Sequence, residues 1–294
     1  AKHLHGFEFA ATDPNDIFSC KDIDIVHICT PNAYHKDAVI SALKAGKHVY
    51  CEKPLTTSYA DAQEILSVLK GTELTTQMTF QNRFLPAVMR ARQLIDDGRL
   101  GCILSFNAVY LHSGSIDPDK PIGWKQDSEL GGRGIIASNR VLYPQRPAAD
   151  GNMIPITAED QSIMMVKMKN QSMGMIEVSK IATGTNDELE FAIYGDKGAV
   201  RFNLMDPNYL DFYDNTMIDK PIGGEKGFTR IETVQRYPAP GGVFVSPKAA
   251  IGWIRGHVHS LYNFLQCVFD GRQASPSIRD GAYIQYVMEK VCES

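Results

Sequence analysis

The hydrophobic pattern is most regular between Ile23 and Pro54, where IDIVHICTPNAYHKDAVISALKAGKHVYCEKP reads as strand, turn, helix and strand. Ile23 to Cys29 is a continuous apolar, β-branched run, as expected for a strand covered on both faces of a parallel sheet. Thr30-Pro31-Asn32 ends that run and opens a helix. Its small and apolar positions, Ala33, Ala38, Ala42 and Leu43, recur at roughly helical spacing, and Gly46 sits where a C-terminal cap belongs. Lys47 to Cys51 returns as a second strand. The whole is one βαβ unit with polar residues at the carboxyl ends of both strands, the edge where open α/β sheets bind ligands.

Upstream, Phe7 to Thr12 reads as a strand ending at Asp13-Pro14-Asn15. An acid at the end of the second strand of a dinucleotide-binding fold is placed to take the adenosine ribose hydroxyls of NAD. The first strand and its GxGxxG turn do not precede it. Only eight residues separate Asp13 from Asp22, whereas a parallel crossover takes about 10–12. The pattern therefore implies a chain joined across absent residues near Asn15/Asp16.

Downstream, Thr57-Ser58 caps an amphipathic helix carrying Asp61, Ala62, Ile65, Leu66, Val68 and Leu69. Glu73 to Phe80 reads as the last strand of the nucleotide domain. Gln81 to Pro86 then leads into a helix through Leu94 and Ile95, closed by Gly98. This places a nucleotide-binding domain over residues 1–79 and a second domain over 80–294. The second is richer in strands: Cys102 to His112, Ser162 to Lys169, Ser172 to Lys180, Glu188 to Tyr194 and Ala199 to Asn203, with a tight turn at Gly195-Asp196-Lys197-Gly198. They predict a largely antiparallel sheet with helices on one side, two of them at Val258 to Phe269 and Ile278 to Cys292. The predicted fold class is α/β: an N-terminal Rossmann domain followed by an α/β domain with a large open sheet.

Composition narrows the partners. The chain has 294 residues, 44% hydrophobic and 22% charged, with a net charge of −4. That balance gives no support for nucleic acid or an anionic membrane as partner, and no apolar run approaches the roughly 20 residues of a membrane span. The N-terminal AKHLHGFEFA lacks a signal peptide's apolar core, so a cytoplasmic protein is expected. Six cysteines without a CxxC pair read as reduced and buried. His257 and His259 form an HxH pair, but at the start of a helix residues two apart point to different faces. They read as solvated or capping histidines, and no metal is expected.

The run TPN-xx-H, then A-xx-ALxAGKHV, then CEKP resembles the Gfo/Idh/MocA oxidoreductases, and the likeness continues through RFLPAVMRARQLIDDGRLG (Arg83 to Gly101). The resemblance implies an NAD- or NADP-binding Rossmann domain and a C-terminal domain whose open sheet covers the substrate and forms the interface of a homo-oligomer, a dimer or tetramer. It places Lys53, the lysine of EKP, beside the nicotinamide and the reacting carbon. There a cation stabilises the substrate alkoxide that precedes hydride loss; the alternative is a surface lysine at a strand end. Thr30, Pro31 and Asn32 match the turn that lines the nicotinamide side. His35 either approaches the cofactor or serves as a structural histidine in the helix's first turn. Glu52 contacts cofactor, orients Lys53 or makes a structural ion pair. Gln81 follows the last Rossmann strand, where the family often contacts the nicotinamide end. Trp124-Lys125 resembles the family's Trp-Arg or Trp-Lys pair near the cofactor, with core packing the alternative for Trp124.

The chain departs from the family at Glu129 to Asn139, ELGGRGIIASN, which starts as the GG-x-x-x-D-x-G-x-H-x-x-D stretch does and then enters IIASNRVLY. The histidine and acids of that stretch, partners of the lysine in the family, are not there. Either residues are absent between about Gly134 and Ala137, near Ile135, or the catalytic half has been lost. Ile218 to Phe228 is a further place where residues are absent on this reading. The expected activity is an NAD(P)-dependent dehydrogenase acting on CH-OH groups of a sugar, cyclitol or related polyol. The alternatives are a non-catalytic regulatory member that binds dinucleotide or sugar, and an enzyme of the same fold acting on a non-sugar substrate. Asp13 favours NAD over NADP, because an acid there repels a 2′-phosphate.

Overall fold

The computed structural model describes residues 6–123, 139–148, 150–238, 241–243 and 248–293. They divide into two units, one formed by residues 6–80 and 263–287, the other by 81–123, 139–262 and 288–293.

In the first unit, helix α1 (Pro14–Phe18) precedes strand β1 (Ile25–Ile28), helix α2 (His35–Lys44), strand β2 (His48–Cys51), helix α3 (Tyr59–Leu69) and strand β3 (Thr76–Met78). The strands form a parallel sheet in the order β1-β2-β3, with Ile28 opposite Cys51 and Cys51 opposite Met78. Helix α2 buries Val39, Ala42 and Leu43 and carries Asp37 in its first turn and Lys44 in its last, each sign matched to the nearby helix end. It stops at Gly46, whose φ of +75° is open to glycine, and the Lys47 N–H closes back on the Ala42 carbonyl at 2.9 Å. Ser58 caps α3: its hydroxyl oxygen accepts the Asp61 N–H at 3.2 Å and its own proton goes to the Asp61 carboxylate at 2.8 Å. Lys36 bridges to Asp61 at 2.9 Å and so ties α2 to α3. Val49, Leu55, Ile65, Met78, Ile278 and Ala282 belong to one buried apolar cluster.

The second unit holds helix α4 (Pro86–Asp96) and an eight-stranded sheet. Its strands are β4 (Ile103–Leu111), β5 (Asn139–Arg140), β8 (Gln161–Lys167), β9 (Met173–Ser179), β10 (Glu188–Gly195), β11 (Gly198–Asn203), β12 (Tyr209–Asp214) and β13 (Phe228–Glu232). They lie in the order β13-β12-β11-β10-β4-β9-β8-β5, antiparallel except for the parallel pair β4·β9. A separate hairpin pairs β6 (Gln145–Pro147) with β7 (Met153–Pro155). One sheet face packs Val200, Phe202, Leu210 and Phe212 with Leu85, Ala87, Ala91 and Leu94. Strand alternation turns Arg201, Asp211, Met175 and Met165 to the other face, where Met165 is 66% exposed. Arg146 on β6 is buried and donates to the carbonyls of Ser115 at 2.5 Å and Asp117 at 2.6 Å. Its guanidinium stacks over Tyr143, and the Ile122 N–H meets the Pro147 carbonyl at 2.9 Å. Helices α5 (Trp253–Phe269) and α6 (Ile278–Glu293) complete the order, each with residues in both units.

Several expectations are corrected. Residues 7–12 form no strand, and Phe7 and Phe9 are exposed. The residues on either side of Asn15/Asp16 fold as α1, with the Ser19 N–H on the Asn15 carbonyl at 2.9 Å. A link this short cannot make the crossover that would return a strand parallel to β1. His259 is 6% exposed, buried where a solvated or capping histidine was expected. Cys51 and Cys267 are buried as expected, but Cys29 and Cys102 are exposed. The sequence pattern also passed over β12 and β13. The first four residues of IIASNRVLY and all of Glu129 to Ser138 lie outside the described residues. Among the described residues no helix is long and apolar enough to cross a membrane, and no three His, Cys, Asp or Glu side chains are grouped to hold a metal ion.

Candidate active site

The carboxyl ends of β1 and β2 bring six of the predicted residues together: Thr30, Pro31, Asn32, His35, Glu52 and Lys53. The β1·β2 ladder ends with the Glu52 N–H on the Ile28 carbonyl at 2.9 Å, and the Thr79 N–H on Cys51 at 2.9 Å ties in the end of β3. Beyond these bonds each chain leaves the sheet through a proline. Thr30 is exposed and Pro31 is extended (φ −57°, ψ 148°), while Asn32 is buried and starts a 3₁₀ turn, Asn32–Tyr34, that feeds α2.

His35 opens α2 and is completely buried. Its Nε2 lies 2.8 Å from the Thr30 carbonyl oxygen and its Nδ1 2.8 Å from that of Pro54. With both ring nitrogens committed to main-chain oxygens, the geometry speaks for the structural alternative over a direct cofactor contact.

Glu52 is half-buried, and its carboxylate accepts the Lys53 N–H at 3.3 Å. Its charge is felt across the strand ends. Burial lowers the His27 pKa, and Glu52 opposes that shift; burial raises the thiol pKa values of Cys29 and Cys51, and Glu52 adds to both. His27 Nε2 and Cys29 Sγ stand 3.2 Å apart on the same side of the strand. Lys53 is exposed, and among the described residues no carboxylate pairs with its ammonium. The site thus presents a cation whose backbone root is fixed and whose tip is free to meet a ligand oxygen.

The remaining predicted residues are not gathered there. Asp13 is exposed and caps α1, accepting the Asn15 N–H at 2.9 Å. Gln81 is half-buried at the start of a 3₁₀ turn, Gln81–Phe84, and belongs to the second unit. Trp124 and Lys125 lie outside the described residues. One polar concavity escaped the sequence reading. It lies on the exposed face of the eight-stranded sheet, encloses about 310 Å³, and is lined by Asn107, Glu190, Arg201, Asp206 and Arg230 among others. Alternating charged residues on β10 to β13 were the signal.

The residues present fit half of a dinucleotide. The Thr30–Asn32 turn at the carboxyl edge of a parallel sheet suits the nicotinamide end, and an exposed acid, Asp13, is of the type that holds a ribose. The glycine-rich turn that cradles the diphosphate in such folds is not among the 294 residues.

Comparison with known proteins bears on this geometry. Residues 2–80 match the profile described as oxidoreductase family, NAD-binding Rossmann fold, and residues 135–294 match that family's C-terminal α/β domain. The chain is 27% identical to a levoglucosan dehydrogenase of Pseudarthrobacter phenanthrenivorans, over all of this chain and 83% of the relative. That alignment runs over 330 positions against the chain's 294 residues, so the relative carries segments that have no counterpart here. A solved levoglucosan dehydrogenase in complex with NADH and L-sorbose superposes with a TM-score of 0.92 at 27% identity, covering 100% of this chain and 83% of that one. A 2,7-anhydro-N-acetylneuraminate hydratase of Escherichia coli is 35% identical over 45% of this chain and 34% of its own length.

Proposed function

The chain belongs to the Gfo/Idh/MocA oxidoreductases, and from that premise we propose that it is an NAD-dependent dehydrogenase that moves a hydride between nicotinamide and a secondary alcohol or ketone of a sugar. The observation that carries this reading is Lys53: an exposed cation with no carboxylate partner among the described residues, rooted at the carboxyl edge of the parallel sheet next to the Thr30–Asn32 turn. On this reading residues 1–79 make up the dinucleotide-binding domain and 80–294 the substrate domain, although residues 263–287 belong to the first unit.

Bound at this edge, NAD supplies the hydride acceptor. Thr30, Pro31 and Asn32 position its nicotinamide end, and Asp13 takes the ribose hydroxyls. The Lys53 ammonium hydrogen-bonds the substrate oxygen and stabilises the alkoxide left when the hydroxyl proton departs, a charge that is then spent in forming the C=O bond as the hydride leaves. Glu52 holds the Lys53 main chain through the 3.3 Å bond and so directs the side chain outward. The hydroxyl proton leaves to a general base or to water.

Within the sugar, cyclitol and polyol class, intramolecularly bridged sugars are the first substrates to try. Levoglucosan and 2,7-anhydro-N-acetylneuraminate, named in two relatives, share that anhydro ring. The exposed sheet face with Met165, Met173 and Met175 supports self-association as a homo-oligomer. The test is a panel of anhydro-sugars, pyranoses and cyclitols with NAD and NADP, read as reduced-cofactor absorbance. Turnover of a sugar with NAD is expected, and no reduction with any member would overturn the reading.

A further inference from the structure

The ladder between β1 and β2 stops where its next donor is missing. In this register the Glu52 N–H bonds the Ile28 carbonyl. Two residues on, the group that would donate to the Thr30 carbonyl is the N–H of residue 54. Residue 54 is proline, which has none. On the other chain the rung facing the Pro54 carbonyl would come from residue 32, where the backbone has already left the strand for the 3₁₀ turn Asn32–Tyr34. Two loops that carry the candidate site therefore part company with two main-chain oxygens lacking ladder partners.

We infer that His35 replaces the missing rung and is a positioning residue for Lys53. Its ring stands between the two loops, with Nε2 at 2.8 Å from the Thr30 oxygen and Nδ1 at 2.8 Å from the Pro54 oxygen. It is wholly buried, so water does not compete for either bond. A neutral ring donates to one of the two oxygens and a doubly protonated ring to both. In either form one rigid side chain, anchored at the first residue of α2, fixes the peptide that follows Pro54, one residue beyond Lys53, and the peptide that precedes Pro31. The Lys53 side chain has several rotatable bonds, and its tip can only be aimed if its root is held. Holding both loops from one ring sets the separation between the turn assigned to the nicotinamide end and the base of the lysine assigned to the substrate oxygen. The inference rests on the proposed role of Lys53 only for its effect on turnover.

The experiment uses His35→Leu, which fills the space without a donor, and His35→Gln, which restores one. Amide hydrogen exchange is measured on the cofactor-free protein, and kcat on the substrate found in the panel. For His35→Leu, exchange is expected to rise at least about tenfold in residues 29–36 and 52–58 while residues 62–69 stay near wild type. Its kcat is expected to fall on the order of 10²-fold, the scale of a displacement near 1 Å. His35→Gln should recover part of both effects. Wild-type exchange in both loops overturns the inference, as does a rise spread evenly over residues 6–80, unchanged kcat with loosened loops, or a glutamine variant no better than leucine. Lys53→Ala with full turnover would instead defeat the catalytic reading and leave the exchange result standing.

Discussion

His259 makes the stability of the second unit depend on pH in a way that can be calculated. The ring is 6% exposed, its centroid 4.0 Å from that of Tyr237 and 5.5 Å from that of Phe84, and its Nδ1 has no hydrogen-bond partner. Burial, with a smaller push from the Arg255 guanidinium, lowers its pKa from 6.5 to about 4. The sign follows from proton uptake. Between those values the unfolded chain binds a proton that the folded ring refuses, so stability is full above pH 6.5 and is lost as pH falls toward 4. At pH 5 the loss relative to pH 7.5 is about 2 kcal/mol, an upper figure because salt screens the Arg255 share. His259→Leu removes the titration and keeps an apolar side chain in the slot. Both tryptophans, Trp124 and Trp253, lie in the C-terminal part of the chain, so their fluorescence follows that part during urea unfolding. The wild-type midpoint should drop by about 1 M urea between pH 7.5 and pH 5, and the variant's drop should be clearly smaller. Equal drops in the two proteins would refute the reasoning.

Three further outcomes test the site and the sheet. Lys53→Ala is expected to keep dinucleotide binding, followed by calorimetry, and to lose about 10²–10⁴-fold in kcat; an unaltered kcat sinks its assignment. Asp13→Ala should move the ratio of kcat/KM values for NAD and NADP toward NADP by at least about tenfold, the scale of a lost charge-assisted hydrogen bond, and an unchanged ratio removes the ribose role. Met165→Glu puts a charge in the middle of the exposed apolar face and is expected to shift the mass measured by light scattering toward the monomer, whereas an oligomer of unchanged mass places the interface elsewhere.

What could be read from the sequence was local. The βαβ unit was legible because Ile25–Ile28 and His48–Cys51 are short apolar runs, and because Gly46 punctuates the helix between them. The hairpin at Gly195 to Gly198 was legible for the same reason. Strand β12 hid because its outward positions are Tyr209, Asp211 and Tyr213, which break any simple apolar run, and β13 because FTRIE is a mostly exposed edge strand. The parallel pairing of β4 with β9 joins segments some seventy residues apart and leaves no mark in either. Residues 7–12 have the composition of a strand but do not form one, and pairing is a property of two chains. The role of His35 was half visible. TPN-xx-H identified the residue, but its second partner is the carbonyl of Pro54, nineteen residues on, and the need for it follows from the donor that Pro54 lacks opposite Thr30.

Arg146 and the Ile122–Pro147 bond close the two ends of the segment from Ser115 to Pro147 on each other. A loop whose ends are fastened this way is a module. Its interior length can drift at little cost, since doubling a loop adds only about 0.6 kcal/mol of closure entropy. The stretch where this chain departs most from its family's pattern falls inside that module. A change of length between Ile122 and Asn139 would therefore leave in place both the fastening and strand β5, which pairs with β8.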